Sequence, residues 1–418
     1  MSASRTRRVF AARSSAGFTL VELMVALTGG LFISLAVFAL ARDSGRFYQR
    51  EARIANATVS GLIGFERLRA DLGRAGFLSS PNIFRDPNVC GAPKDNWPTR
   101  LQNLASIQLS TPTLTYPALT ANARKPPVVT LAGAYSSSDV FPAKIGAEGS
   151  SVTFQLSTVV DAGALRRIGN GFMPDDAAMQ AAFPAQRGLR IVQNGKEYYG
   201  QIFNALGGPQ PTVTINNVAP PVRYRDGGQL CGLVNPGSGV SVARINVVNF
   251  IQYAVRPPQT PIAVAAYQNL FSNSANAPGE AGRTELTRVE LNVSGQAIDG
   301  TEEIVAEYAV DLDLQVTAVV DGIALRDPTL RVLPTSDPQF GTFTGPVYNT
   351  PNTPELLRSV RVRLGVRSRE ADRTATVASP AERGLFRFNI GSGTSETFAR
   401  VRTFQADVAL HNQADILW

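Results

Sequence analysis

The chain has 418 residues, 44% hydrophobic and 17% charged, with a formal net charge of +7, two cysteines and one histidine. That length exceeds what one apolar core usually holds, so a large domain with insertions, or two subdomains, is expected. A single histidine and no CxxC spacing leave histidine triads and the common zinc sites without their residues, and neither a GxxxxGK phosphate loop nor a D-x-[DN]-x-[DN]-G calcium loop is present.

In chain order, residues 1–16 hold Arg5, Arg7, Arg8 and Arg13 and no carboxylate. These four account for most of the positive surplus, and the remainder of the chain is close to neutral. The basic balance is therefore no sign of nucleic-acid binding. Glu22 comes next, and nothing after it is charged until Arg42. Leu23 to Ala41 is an uncharged run of 19 residues, which as a helix rises roughly 28 Å, about the thickness of a hydrocarbon core. A secretory signal has an apolar core of only about 7–15 residues. Ala39-Leu40-Ala41 offers a small-residue cut site, but the run is too long for that reading. A plain anchor accounts for the length and gives no reason for Gly17-Phe18 or for Glu22. A carboxylate at membrane depth is costly and calls for a partner.

Gly17-Phe18-Thr19-Leu20-Val21-Glu22-Leu23, behind a short basic leader, resembles the class III signal of type IV pilins and type II secretion pseudopilins. The resemblance implies a cut between Gly17 and Phe18 by a membrane aspartic prepilin peptidase and N-methylation of Phe18. Residues 1–17 would be the removed leader, and 18–41 would remain as the transmembrane half of a long helix. Leader arginines would keep the N-terminus cytoplasmic and send the head into the periplasm. The cut frees an α-ammonium at the bilayer edge, and Glu22 of one subunit can pair with the ammonium of a neighbour. Such a buried pair acts as a register device more than as glue.

From 42 to 77 the pattern is helical and amphipathic, with Phe47, Ile54, Thr58, Leu62, Phe65, Leu68 and Leu72 as the apolar stripe. No proline interrupts Phe18 to Gly76, and Gly76 supplies a stop. Gly61, Gly64 and Gly73 lower helix propensity, which predicts bending. The section 78–240 reads as an irregular and β-rich insertion, with strands over Ser151–Val160, Gly188–Asn194, Glu197–Phe203 and Pro211–Val218. One short helix is expected within Ile168–Phe183, starting near Asp175 or Asp176. In the exported chain that the leader implies, the even cysteine count suggests a Cys90–Cys231 disulfide. It closes a long loop and contributes roughly 4–5 kcal/mol by loop entropy. Two buried free thiols are the alternative.

The section 241–418 alternates most clearly, over Val242–Val255, Thr284–Val293, Ile304–Val320, Leu356–Arg369 and Phe398–Leu410. The expected fold class is α+β: a long N-terminal helix packed on a mainly antiparallel β-sheet head with insertions. Leu68 to Phe77, Ile304 to Val316 and Phe404 to Asn412 are similar to segments of PilW-type minor pilins. That resemblance implies a non-enzymatic subunit of the type IV pilus, processed by prepilin peptidase. It would be stored in the inner membrane among its lipids and would prime fibre assembly in a tip complex. The implied partners are other minor pilins, the major pilin and, as a further candidate, a PilY-type adhesin. A J-type pseudopilin of type II secretion and an uncleaved membrane-anchored binding protein are the rival readings. No cofactor is expected. His411 reads as a surface or edge residue, Asp311 and Asp313 as an exposed pair on one strand face. Arg361, Arg363, Arg367 and Arg369 read as a solvated sheet face open to an acidic partner.

Overall fold

The computed structural model describes residues 19–91, 93, 96–111, 116–146, 151–159, 162–216, 231–233, 242–257, 282–321, 329–369, 373–374, 387–390, 397–414 and 416. The leader and the junction Gly17–Phe18 lie outside the described residues. The chain divides into two units, Met1–Arg53 and Ile54–Trp418. The expected α+β class holds, with one long apolar helix at the N-terminal end and a largely antiparallel β region.

Helix α1 spans Leu20–Gly73. In the first unit its apolar side chains, from Leu20 to Leu40, are exposed on every side. This helix is long and apolar enough to cross a membrane, and none of its apolar window is buried in protein, as suits a single-pass anchor. A helix that is apolar all round has no polar face to give to water.

In the second unit the same helix becomes one-sided. Ile54, Phe65, Leu68 and Leu72 are buried, while Leu62 is 48% exposed, so the expected stripe narrows. Gly61 and Gly64 explain the difference. They face the protein in place of Leu62, and a Cβ at Gly64 would strike the Val305 carbonyl while one at Gly61 would lie 2.6 Å from Phe404 Cε2. These glycines let the helix backbone approach the sheet closely. Gly76, the expected stop, lies three residues beyond the end of α1 at Gly73. It adopts φ +76°, its N–H donates to Ala132 O at 2.8 Å, and a side chain there would meet Ser106 Oγ at 2.9 Å.

The β region has three parts. Strands β1 (Ile107–Ser110) and β2 (Val128–Gly133) form one edge of a five-stranded sheet. Strands β3 (Phe141–Ile145), β4 (Ser151–Leu156), β5 (Gly188–Gln193), β6 (Lys196–Leu206) and β7 (Thr212–Asn216) pair in the order β3-β4-β7-β6-β5. Strand β8 (Ala243–Arg256) joins the two. Its first half pairs with both β3 and β5, which closes six antiparallel strands into a barrel. Its second half lies between β2 and β9 (Glu285–Leu291), and β10 (Glu303–Ala306) follows β9. The third part is a sheet in the order β12 (Thr329–Leu333), β11 (Ala309–Asp321), β13 (Leu357–Arg367) and β16 (Thr397–Ala409), with β14 (Arg373–Thr374) and β15 (Arg387–Asn389) paired to β16.

The section 78–240, read as irregular and β-rich, carries seven strands among its described residues, five of them in the barrel. Its expected helix is present over Asp176–Ala182, where the Asp175 side chain accepts from the Ala178 N–H at 2.8 Å as an N-cap. The barrel interior is filled by Phe154, Phe183, Leu189, Ile191, Ile202, Val213 and Ile245, so it is a packed core and not a pore.

The strand expected over Ile304–Val320 is in fact two strands in different sheets. Between β10 and β11 the backbone turns at Tyr308, which takes φ +54°, a conformation uncommon outside glycine. Its N–H donates to Glu285 Oε2 at 2.8 Å, and the Arg283 and Arg367 guanidiniums lie 4.4 and 5.0 Å from its ring centre. Phe65, Leu68 and Leu72 of the helix share a core with the inner residues of the five-stranded sheet and with Val360, Val362, Leu364 and Val366 of β13.

Candidate functional site

Each assembly candidate falls in a different place. Glu22 lies in the first turn of α1, and its Oε2 accepts from the Thr19 N–H at 3.0 Å and the Thr19 hydroxyl at 3.1 Å. The Glu22 N–H donates back to Thr19 Oγ1 at 3.3 Å. Thr-x-x-Glu here is a capping box, two helix-end donors satisfied reciprocally. The carboxylate therefore has a local partner within its own chain. The threonine three residues before it was the signal, which a reading centred on the charge passed over.

Cys90 and Cys231 are joined, with Cα atoms 5.3 Å apart and a sequence separation of 141. Both ends are tied to β6: the Cys90 N–H donates to Glu197 O at 2.8 Å, and the Tyr198 hydroxyl donates to Gly232 O at 2.9 Å. The bridge thus fastens Cys90 and Cys231 beside β6.

Asp71 is a site that sequence reasoning missed. It lies on the buried side of α1, 4% exposed, three residues after Leu68. Its Oδ2 accepts from the Tyr253 hydroxyl and from Arg288 Nε, each at 2.7 Å. Arg288 Nη1 continues to Glu303 at 3.1 Å, and the Tyr135 hydroxyl donates to Asp71 O at 3.0 Å. Burial, helped by the Asp71 charge, pushes the Tyr253 hydroxyl far above its ordinary range, so it stays a donor at all working pH. The signal was a carboxylate falling on the apolar stripe.

Two other expectations need correction. Asp311 is not exposed: it is 4% accessible and held by Arg363 Nε at 3.1 Å and Arg124 Nη1 at 3.5 Å. Asp313 is half-buried and contacts Arg363 Nη2 at 3.2 Å. Burial holds its carboxyl above the usual aspartate value. The pair sits in a groove that the 116–127 segment lines, a covering element that strand alternation cannot reveal.

Nor do the arginines of β13 form one solvated face. Arg361 is paired with Asp407 through two bonds of 2.7 and 3.1 Å, Arg363 with the two aspartates, and Arg367 is wholly buried. Arg367 Nη1 donates to the carbonyls of Ser368 and Arg369 at 3.1 and 3.0 Å. His411 is exposed, as expected. Among the described residues no three of His, Cys, Asp and Glu gather as metal ligands.

No protein-family model matches the chain, and neither a curated protein nor a solved structure matches it.

Proposed function

We propose that this chain is a PilW-like minor pilin, a structural rather than catalytic subunit. Prepilin peptidase would cut it after Gly17, and it would act in the tip complex that primes a type IV pilus. The observation that carries the reading is Glu22, set in the first helical turn five residues beyond Gly17, at the head of an otherwise uncharged apolar span. The capping box would serve any helix start, so what supports the reading is the placement of the charge just past Gly17-Phe18. Two further features support it. The helix has an all-apolar part and a one-sided part, as a subunit stored in a membrane with its head outside requires. A disulfide suits a head that folds in an oxidising compartment.

On this reading the capping box is the resting arrangement of Glu22. In a bundle, the free ammonium of a neighbouring Phe18 would compete with Thr19 for the same carboxylate oxygen, and the ion pair would fix the axial position of each subunit. The test is the mass of the N-terminal peptide from protein extracted from membranes. The expected peptide begins at Phe18 and carries one methyl group on its amine. An intact leader, or a chain beginning at Arg42, overturns the proposal.

A further inference from the structure

A groove of about 690 Å³ lies between β11 and β13 on one side and β1, the 116–127 segment and the helix Phe340–Thr344 on the other. Its polar wall is a ladder of alternating charge. Arg124 contacts Asp311, Asp311 contacts Arg363, and Arg363 contacts Asp313, at 3.5, 3.1 and 3.2 Å. Asp311 and Asp313 project together because they are two residues apart on β11, and Arg363 stands directly across from Asp313 on β13. Room for the ladder is built into the sheet. Gly365 stands across from Asp311, and a Cβ there would come 2.8 Å from Asp311 Cβ. The other walls include Tyr116, Phe340, Thr120 and Thr335.

The ladder constrains what can enter. Its cations and anions neutralise one another, so an anionic ligand meets Asp311 and Asp313 as it approaches the arginines, and a cationic one meets Arg124, Arg363 and Lys125. An apolar ligand would take water from four charged groups and return no hydrogen bonds. A ligand whose groups each donate and accept, with an apolar ring face between them, suits donors and acceptors alternating beside aromatic walls. Arg124 is held loosely: its contact with Asp311, at 3.5 Å, is at the outer limit of a hydrogen bond.

We propose that this groove is a binding site for a neutral saccharide of about two rings, held by the Arg124–Asp311–Arg363–Asp313 ladder with Tyr116 and Phe340 beside the sugar. The inference goes beyond the pilin reading and does not depend on it, because it concerns the head alone and is tested without fibre assembly.

The experiment is saturation-transfer NMR and calorimetry on the full chain, in a detergent without a sugar headgroup. The probes are lactose, cellobiose, maltose and N,N′-diacetylchitobiose, set against sialyllactose as an anion and the unacetylated glucosamine disaccharide as a cation. Saturable binding of at least one neutral probe, tighter than that of either charged probe, is expected. Arg124→Met and Asp313→Asn should each weaken it by roughly tenfold through loss of charge-assisted hydrogen bonds. Lys144→Gln, at an exposed position on β3 outside the groove, should leave neutral-sugar binding unchanged. The proposal is overturned if no neutral probe binds, if a charged probe binds more tightly, or if Asp313→Asn with an unchanged melting temperature binds as the parent does.

Discussion

The barrel and the helix-bearing sheets are built on opposite principles. Every fully buried charged side chain among the described residues (Asp71, Arg256, Glu285, Glu302, Asp311, Glu355 and Arg367) lies outside the barrel. The barrel core is apolar, its strands close on themselves without an edge, and a covalent bridge joins that core at Cys90. Where α1 and two sheets meet, charges are buried in pairs instead. A non-directional apolar contact tolerates sliding, whereas an ion pair in low dielectric is satisfied in one register only. The helix must sit at one height on its sheets, and the Asp71–Tyr253–Arg288 triad provides that height. In the barrel, closure already constrains the register, and the Arg190–Glu197 pair between β5 and β6 is only partly buried.

Removing the disulfide with a Cys90→Ser, Cys231→Ser double variant breaks the comparison from the barrel side. The expected loss is about 4–5 kcal/mol by loop entropy over 141 residues. Hydrogen exchange should show it first in β5 and β6, and earlier loss of protection in β11 and β13 would contradict the assignment. Asp71→Ala tests the other side. It leaves Arg288 and Tyr253 buried without their acceptor, and chemical denaturation should show a loss of about 3–5 kcal/mol. Asp71→Asn, which keeps an acceptor, should recover part of it.

Glu285 sharpens the comparison by pH. Burial pushes its carboxyl up to about 7 from the ordinary 4.5, against the pull of the adjacent Arg283 guanidinium and the Tyr308 N–H. The folded state therefore holds this proton more tightly than the unfolded one. Its contribution is complete below pH 4.5 and is lost as pH rises through about 7. The change is about 3 kcal/mol at most, and Glu285→Gln should flatten the stability profile over that interval. A profile identical to the parent's would assign the titration to another group.

Much of this was legible in the chain. Alternation over Leu356–Arg369 and Phe398–Leu410 marks β13 and β16 nearly to the residue, and the Val360–Val366 face is buried as expected. These signals are local, since period two follows from the geometry of one strand. The burial of Asp311 and Arg367 was not legible, because each depends on an element far away in sequence: the segment at Arg124 for one, Tyr308 and Phe388 for the other. The break at Tyr308 also escaped, since nothing in Ala-Glu-Tyr-Ala announces a residue that its neighbours hold in a left-handed turn.

By itself the sequence determined that one apolar helix leads a β-rich head, that a carboxylate stands at the head of that helix, and that two cysteines are available to each other. Hydropathy and periodicity are properties of neighbouring residues, and they survive without a fold. Only the tertiary structure decided that β8 is shared between a closed barrel and an open sheet, that Gly61 and Gly64 bring helix to strand, and that Asp71 keys the two together. Each of those is a choice among partners, made by closure, by close approach and by the cost of leaving a buried charge alone.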